Sequence, residues 1–377
     1  MWKLVPIYAF ALCMAFLSNK KSKYITDSID GRKYLKKDKI AYCIMAISLA
    51  VFVGLRTRGN DTVTYRYIYE NQIGVGFQKI ASIDWFNVSE APGLQFVQIC
   101  LKTIGASTQD FFMIFALFTV LTYLWFIRKY TNNIFLSVFL FLTIGGYTFS
   151  MAAIKQTTAV ALLLIATDRA IHKKYVSFLL FILLAELFHP YSFIYLVVPF
   201  LFFSPWTKRT WWLFIGTFVC AIFLESFMSS ILSVTENLGY SYGTNSFTGE
   251  GVNIFRVLVV FVPVFISFLG RKSLKHSNNR ANNLIINLTM MNALIMFIGL
   301  FGTANYFARL ANYFIIFQVL SIPWLLKFFE YRSKKIVILT SIICYSLFFF
   351  YGAVLSQAPF DSQYGFITIF EYIKQLF

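Results

Sequence analysis

Residues 111–127 read FFMIFALFTVLTYLWFI, a run without a charge that ends on Arg128 and Lys129. A soluble amphipathic helix would confine its apolar residues to one stripe, but here they occupy every position around the axis. Nor do they alternate with polar residues at period two, as the strands of a membrane barrel do. Crossing a hydrocarbon core about 30 Å thick takes roughly 20 helical residues. Comparable charge-free runs recur at 134–154, 284–308 and 336–356. The reading is therefore an all-α, polytopic integral membrane protein.

Composition agrees. Of the 377 residues 58% are hydrophobic, 20% aromatic and only 13% charged, where a soluble chain carries about 25% charged residues. Water is not the solvent of most of this surface. The net charge of +17 would suggest a nucleic-acid partner in a soluble protein. Here Lys and Arg gather instead in 20–39, 128–129, 169–174, 208–209, 271–280 and 327–335, which fall on alternate loops. The positive-inside rule places those loops in the cytoplasm and accounts for the charge, so no nucleic-acid partner is expected.

These loops dictate a path of about twelve helices. They lie near 2–17, 40–55, 111–127, 134–150, 154–168, 175–189, 191–204, 211–228, 253–270, 284–303, 309–326 and 336–353, with both termini outside. The chain is expected to form a single membrane domain, 1–377. Two longer outer segments interrupt it, 56–110 and 229–253. The apolar piece 94–104 is too short to span and is read as an interfacial or half-membrane helix. Residues 2–17 resemble a signal peptide, but no small-residue cleavage site follows, so they are read as a retained first helix. Cys13, Cys43, Cys100, Cys220 and Cys344 lie far apart, and the three histidines show no metal-ligand spacing. Neither disulfides nor a bound metal is expected.

Several cations break the topological rule. Arg56 and Arg58 follow the second hydrophobic helix; Lys155, Arg256 and Arg309 open the fifth, ninth and eleventh. All five fall near the outer face, where a membrane protein is not expected to concentrate positive charge. Any one could snorkel to the headgroups. Five together suggest a compensating anion, for which the diphosphate of a lipid-linked sugar is the candidate. His189 stands at a helix hairpin with Pro190 and Tyr191, as acid, base or phosphate contact, or as a partner for a turn carbonyl. Asp61, Asp84 and Glu90 supply outer carboxylates, Asp84 reading as a solvated loop charge. Tyr65, Tyr67, Tyr69, Tyr240 and Tyr242 are placed to stack on sugar faces.

The stretch Gly54-Leu-Arg-Thr-Arg-Gly-Asn-Asp-Thr-Val-Thr-Tyr65-Arg-Tyr-Ile-Tyr69 resembles the G-x-R-x-x-x-G-x-D-x-x-x-Y segment of the EpsG family, Wzy-type bacterial polysaccharide polymerases. The similarity continues through Glu90 and through Ile154-Lys155-Gln156, where the family commonly has Arg-Gln. It extends to His189-Pro-Tyr-Ser and to Arg309–Tyr313 ahead of Pro323. Lys155 in place of Arg and the individual Pro190 are departures, and the spacing to Asp61 leaves open whether Arg56 or Arg58 is the functional one. The resemblance implies a GT-C-like glycosyltransferase of the bacterial inner membrane with its site facing the periplasm or cell exterior. Its expected partners are undecaprenyl-diphosphate-linked glycans, membrane lipid and a chain-length regulator protein. Asp61 or His189 would be the catalytic base. Arg56, Arg58, Tyr65, Glu90, Lys155, Gln156, Arg256, Arg309 and Tyr313 would bind substrate. There is no Asp-x-Asp motif, which fits a metal-independent site without cofactor.

Three rivals remain. A flippase or other transporter would favour charges near the midplane, broken helices and inverted repeats. An O-antigen ligase would use the same donor on a different acceptor. A membrane acyltransferase would need an internal His/Asp site, whereas His172 and His276 lie in basic loops.

Overall fold

The computed structural model describes residues 2–26, 33–36, 38–224, 251–302, 304–355 and 359–376. In chain order its main elements are α1 (Val5–Lys21), β1 (Lys23–Thr26), β2 (Lys33–Lys36), α2 (Ile40–Gly54), β3 (Arg56–Arg58), α3 (Thr62–Tyr67) and α4 (Pro92–Thr103). There follow α5 (Thr108–Tyr130), α6 (Ile134–Thr143), α7 (Gly146–Ala152), α8 (Ile154–Ile171), α9 (Tyr175–Glu186) and α10 (Lys208–Ile222). The last are α11 (Ile254–Leu269), α12 (Arg280–Ile298), α13 (Ala304–Asn312), α14 (Ile315–Leu325), α15 (Tyr331–Phe350), β4 (Gly365–Phe366) and α16 (Ile369–Leu376). The stretch expected to form one membrane domain divides into two compact units, 1–195 with 338–377, and 196–337. Most of the outer segment expected at 229–253, with Tyr240 and Tyr242, lies outside the described residues.

Among the described residues three helices are long and apolar enough to cross a membrane: Thr108–Tyr130, Arg280–Ile298 and the one at Tyr331–Leu355. Two bent pairs bring the number to as many as five. The expected continuous helix 134–150 is one of them, broken by 47° between α6 and α7. Gly145 takes φ +98° at that break, a conformation glycine adopts without the usual Cβ penalty. The second pair, bent by 53°, lies where a helix over 309–326 was expected. The expected helix 191–204 is a tighter 3₁₀ segment, Ser192–Leu201, with Pro199 inside it. Proline has no amide hydrogen to continue an α-helical ladder, which favours this departure. The piece 94–104 lies almost wholly in a helix, α4.

In the first unit α5 packs between α2 and α8, α9 lies on α8, and α1 on α2 and α6. Buried tyrosines pin these apolar helices through backbone carbonyls: Tyr42 donates to Leu124 at 2.7 Å, Tyr123 to Thr157 at 3.0 Å and Tyr147 to Leu49 at 2.9 Å. Where no water competes, each such bond removes an otherwise unsatisfied polar group. One end of α5 is closed by Lys129 and Tyr130, both bonded to the buried Asp168 of α8. The other end begins with a capping box, Ser107 and Asp110 exchanging bonds with each other's backbone amides. The second unit is held by side-chain amides on α12. Asn287 donates to the carbonyls of Leu201 and Phe203, both at 2.8 Å, while Asn292 meets Ala311 and Gln318.

Among the described residues two small strand pairs add to the expected all-helical fold. β1 and β2 form an antiparallel hairpin within the first basic loop. β3 pairs antiparallel with β4, setting Arg56 opposite Phe366 and Arg58 opposite Gly365. That second pair bolts the C-terminal tail onto the end of α2.

Candidate functional site

The corner between α2 and α3 is built around Arg56. Its side chain is buried, 1% exposed, with Nη1 donating to the Val53 carbonyl at 2.8 Å and the guanidinium 4.8 Å from the Phe112 ring centre. Burial pushes the guanidinium down to about 10, with the Tyr364 and Tyr65 phenols acting the other way. It therefore stays cationic at neutral pH. Its Nε has no hydrogen-bond partner, a costly omission for a buried charged group. Arg58 is the opposite case, exposed at the strand end with its stem laid against Gly365.

The backbone turns sharply after β3. Gly59 has φ +128°, and a Cβ there would sit 2.2 Å from the Tyr364 ring, so the tail excludes any larger residue. Asn60 donates to the Tyr364 hydroxyl at 2.7 Å. Asp61 follows as the exposed first residue of the α3 turn, and its side chain is not spent on capping that helix. Tyr65, one turn on, is buried, and its phenol acts on the Arg56 charge.

The same end of the unit receives Lys155, half-buried in the first turn of α8. The carboxylates acting on its charge are Glu90 and Asp61, 65 and 94 positions before it in sequence. Glu90 is exposed just before α4, its carbonyl and carboxylate accepting from Gln95. Ala91 then takes φ +57°, and Gly93 donates its amide to Leu187 at 2.8 Å. That bond fastens the α4 start to the α9 hairpin, two residues before His189. His189 is half-buried, stacks edge-on with Tyr191 at 5.3 Å, and offers its carbonyl to Ser192. Gln156 is buried beside Lys155 on α8.

In the second unit Arg256 is exposed in the first turn of α11, Arg309 is exposed on α13, and Tyr313 is fully buried beyond it. Two other cations outside the basic clusters have structural work. Lys102 donates to the carbonyls of Tyr69, Glu70 and Ile73 at 2.7–2.9 Å, closing a helical turn. Lys3 binds the Asp361 and Tyr364 carbonyls, both at 2.7 Å.

Sequence reasoning missed three contributors. Gln109, 4% exposed, donates to the Gly54 and Arg56 carbonyls and so holds β3 on α5. Tyr364 enters from the far C-terminus, and nothing in its local sequence marks it. Glu186 is buried at the end of α9, three residues before His189. The Ser192 and Phe193 amides face its carboxylate without hydrogen bonds of good geometry. An ionisable residue inside an apolar helix was the available signal. Among the described residues no group of His, Cys, Asp and Glu is placed to hold a metal ion.

Chemically, the arrangement offers exposed carboxylates, Asp61 and Glu90, and a half-buried cation, Lys155, on whose charge they act. The EpsG family model matches residues 39–368, from the start of α2 to just past β4. No curated protein and no solved structure matches the chain.

Proposed function

The chain belongs to the EpsG family, a Wzy-type polymerase family, and on that premise we propose that it polymerises undecaprenyl-diphosphate-linked oligosaccharide repeats at the outer face of the bacterial inner membrane. The observation carrying this reading is the family match over residues 39–368, which contains Asp61, Glu90 and Lys155; Glu90 and Asp61 act on the Lys155 charge. In the proposed step an acceptor-sugar hydroxyl of one lipid-linked repeat gives its proton to Asp61 or His189. Its oxygen bonds to the anomeric carbon of the growing glycan. The bond from that carbon to diphosphate breaks, and the electron pair leaves on undecaprenyl diphosphate. General-base assistance and stabilisation of the leaving anion are the two tasks the protein must perform. Lys155 is assigned to the diphosphate; the buried Arg56 is assigned a supporting role behind Tyr65 and Asp61. About twelve membrane-embedded helices in a GT-C-like arrangement, and a metal-independent reaction, belong to the same proposal.

The test is complementation of a polymerase-null strain. The chain should convert single repeat units into a ladder of long chains. Loss of the single-repeat band as well would indicate a ligase or flippase instead.

Orientation has its own expected result. In a cysteine-free background, Asp84→Cys and Ser89→Cys should react with an impermeant thiol reagent on intact cells, and Lys21→Cys should not. Labelling of Lys21→Cys from outside would reverse the topology and remove the outer-face site with it.

A further inference from the structure

A second polar feature lies beside the Arg56 corner and takes no part in the proposed chemistry. It is a cavity of about 380 Å³ lined by Thr57, Arg66, Glu70, Thr108, Gln109 and Gln375, with Ser107 and Ile367 completing the wall. That volume falls within the range of small-ligand sites, about 300–1,000 Å³. Three distant parts of the chain build it: the α3 region, the start of α5 and the C-terminal tail.

The lining is held in place before any ligand arrives. Arg66 and Glu70 pair at 3.3 Å, four residues apart. Glu70 also accepts from the Thr108 hydroxyl at 2.8 Å, and Arg66 donates to the Gln109 side-chain Oε1 at 3.2 Å. Gln109 and Thr108 are themselves buried, 4% and 8% exposed. Behind them the Gln109 amide is bonded to the Gly54 and Arg56 carbonyls. The Arg66 guanidinium lies 5.6 Å from the centre of the Phe112 ring that Arg56 also faces. A guanidinium has five N–H donors and a carboxylate about four lone-pair sites, more than these bonds consume.

The chemistry of the lining selects a ligand class. One cation and one anion cancel, so the cavity offers no surplus positive charge for a diphosphate. What remains is a dense mixture of donors and acceptors from hydroxyls, amides, guanidinium and carboxylate. A neutral, hydroxyl-rich ligand satisfies such a lining best. Its position matters equally: Arg66 sits in the short helix that Asp61 begins, and Thr57 stands in β3.

We propose that this cavity binds sugar hydroxyls of the acceptor repeat and so sets which hydroxyl is presented to Asp61. The proposal rests on the polymerase reading above. It makes Arg66, Glu70 and Gln375 specificity-determining residues, and it gives the C-terminal tail a direct part in substrate recognition.

The probe is the repeat-unit oligosaccharide, released by mild acid from the diphosphate lipid of the polymerase-null strain. Its binding to the purified protein in lipid nanodiscs is followed by saturation-transfer NMR and calorimetry. Wild type is expected to bind it, and inorganic diphosphate is expected not to displace it. Glu70→Gln should weaken binding about tenfold, the loss of one charge-assisted hydrogen bond, and raise the apparent KM for acceptor with kcat little changed. Gln375→Ala, on an exposed face, should weaken it several-fold without affecting folding. Unchanged affinity in both variants, absence of binding in wild type, or displacement by diphosphate would each overturn the assignment. If wild type restores long chains while any of these holds, only the cavity assignment fails. If wild type restores none, the polymerase reading fails first.

Discussion

Asp61→Asn is expected to hold the complemented null strain at single repeat units. The amide keeps the shape of the carboxylate but cannot take the acceptor proton, and losing a general base typically costs about 10²–10⁴ in rate. The structure makes this a clean substitution. Asp61 is exposed and its side chain does not cap α3, so protein abundance in the membrane should match wild type. His189→Ala is the matched alternative, since both residues are candidates for the same proton. One variant should erase the ladder and the other should shorten it at most. Normal ladders from both, at matched protein level, would remove this site from the mechanism while leaving the family assignment intact.

Lys155→Met should likewise abolish long chains, by about 10²–10³ in rate, the usual cost of removing one donor that stabilises a developing anion. Lys155→Arg should retain most activity, because the charge persists at a position where the resembling family commonly carries Arg. A purely structural role is separable from this one. If Lys155 serves only to neutralise Glu90 and Asp61, which act on its charge, then Lys155→Met combined with Glu90→Gln should recover polymer. If it holds the leaving diphosphate, the double variant should remain inactive. Recovery in the double variant is the outcome that would move the clamp away from Lys155.

Both experiments depend on residues whose identity was readable in sequence and whose association was not. Arg56 and Arg58 show the difference. Their spacing to Asp61 leaves the functional one undecided, and only the fold separates them, burying Arg56 against Phe112 and exposing Arg58 at the strand end. Glu186 was visible as a carboxylate in an apolar helix, yet its place beside the His189 hairpin comes from the packing. The helix breaks escaped for a related reason. Hydropathy over 134–154 is continuous through Gly145, so the bend there leaves no trace in an apolar count.

The sequence by itself determined that this chain is helical and apolar enough for membrane spans, and where its positive charge gathers. Those properties are sums of local transfer free energies and loop charges over about 20 residues, and no distant contact alters them. Tertiary structure alone decided that Gly365–Phe366 would pair with Arg56–Arg58, that Tyr364 would close over Gly59, and that Glu90 and Asp61 would act on the charge of Lys155. Such meetings depend on which helix packs against which and on the turns that aim the chain, so residues some 300 positions apart become neighbours with no local signal to announce it.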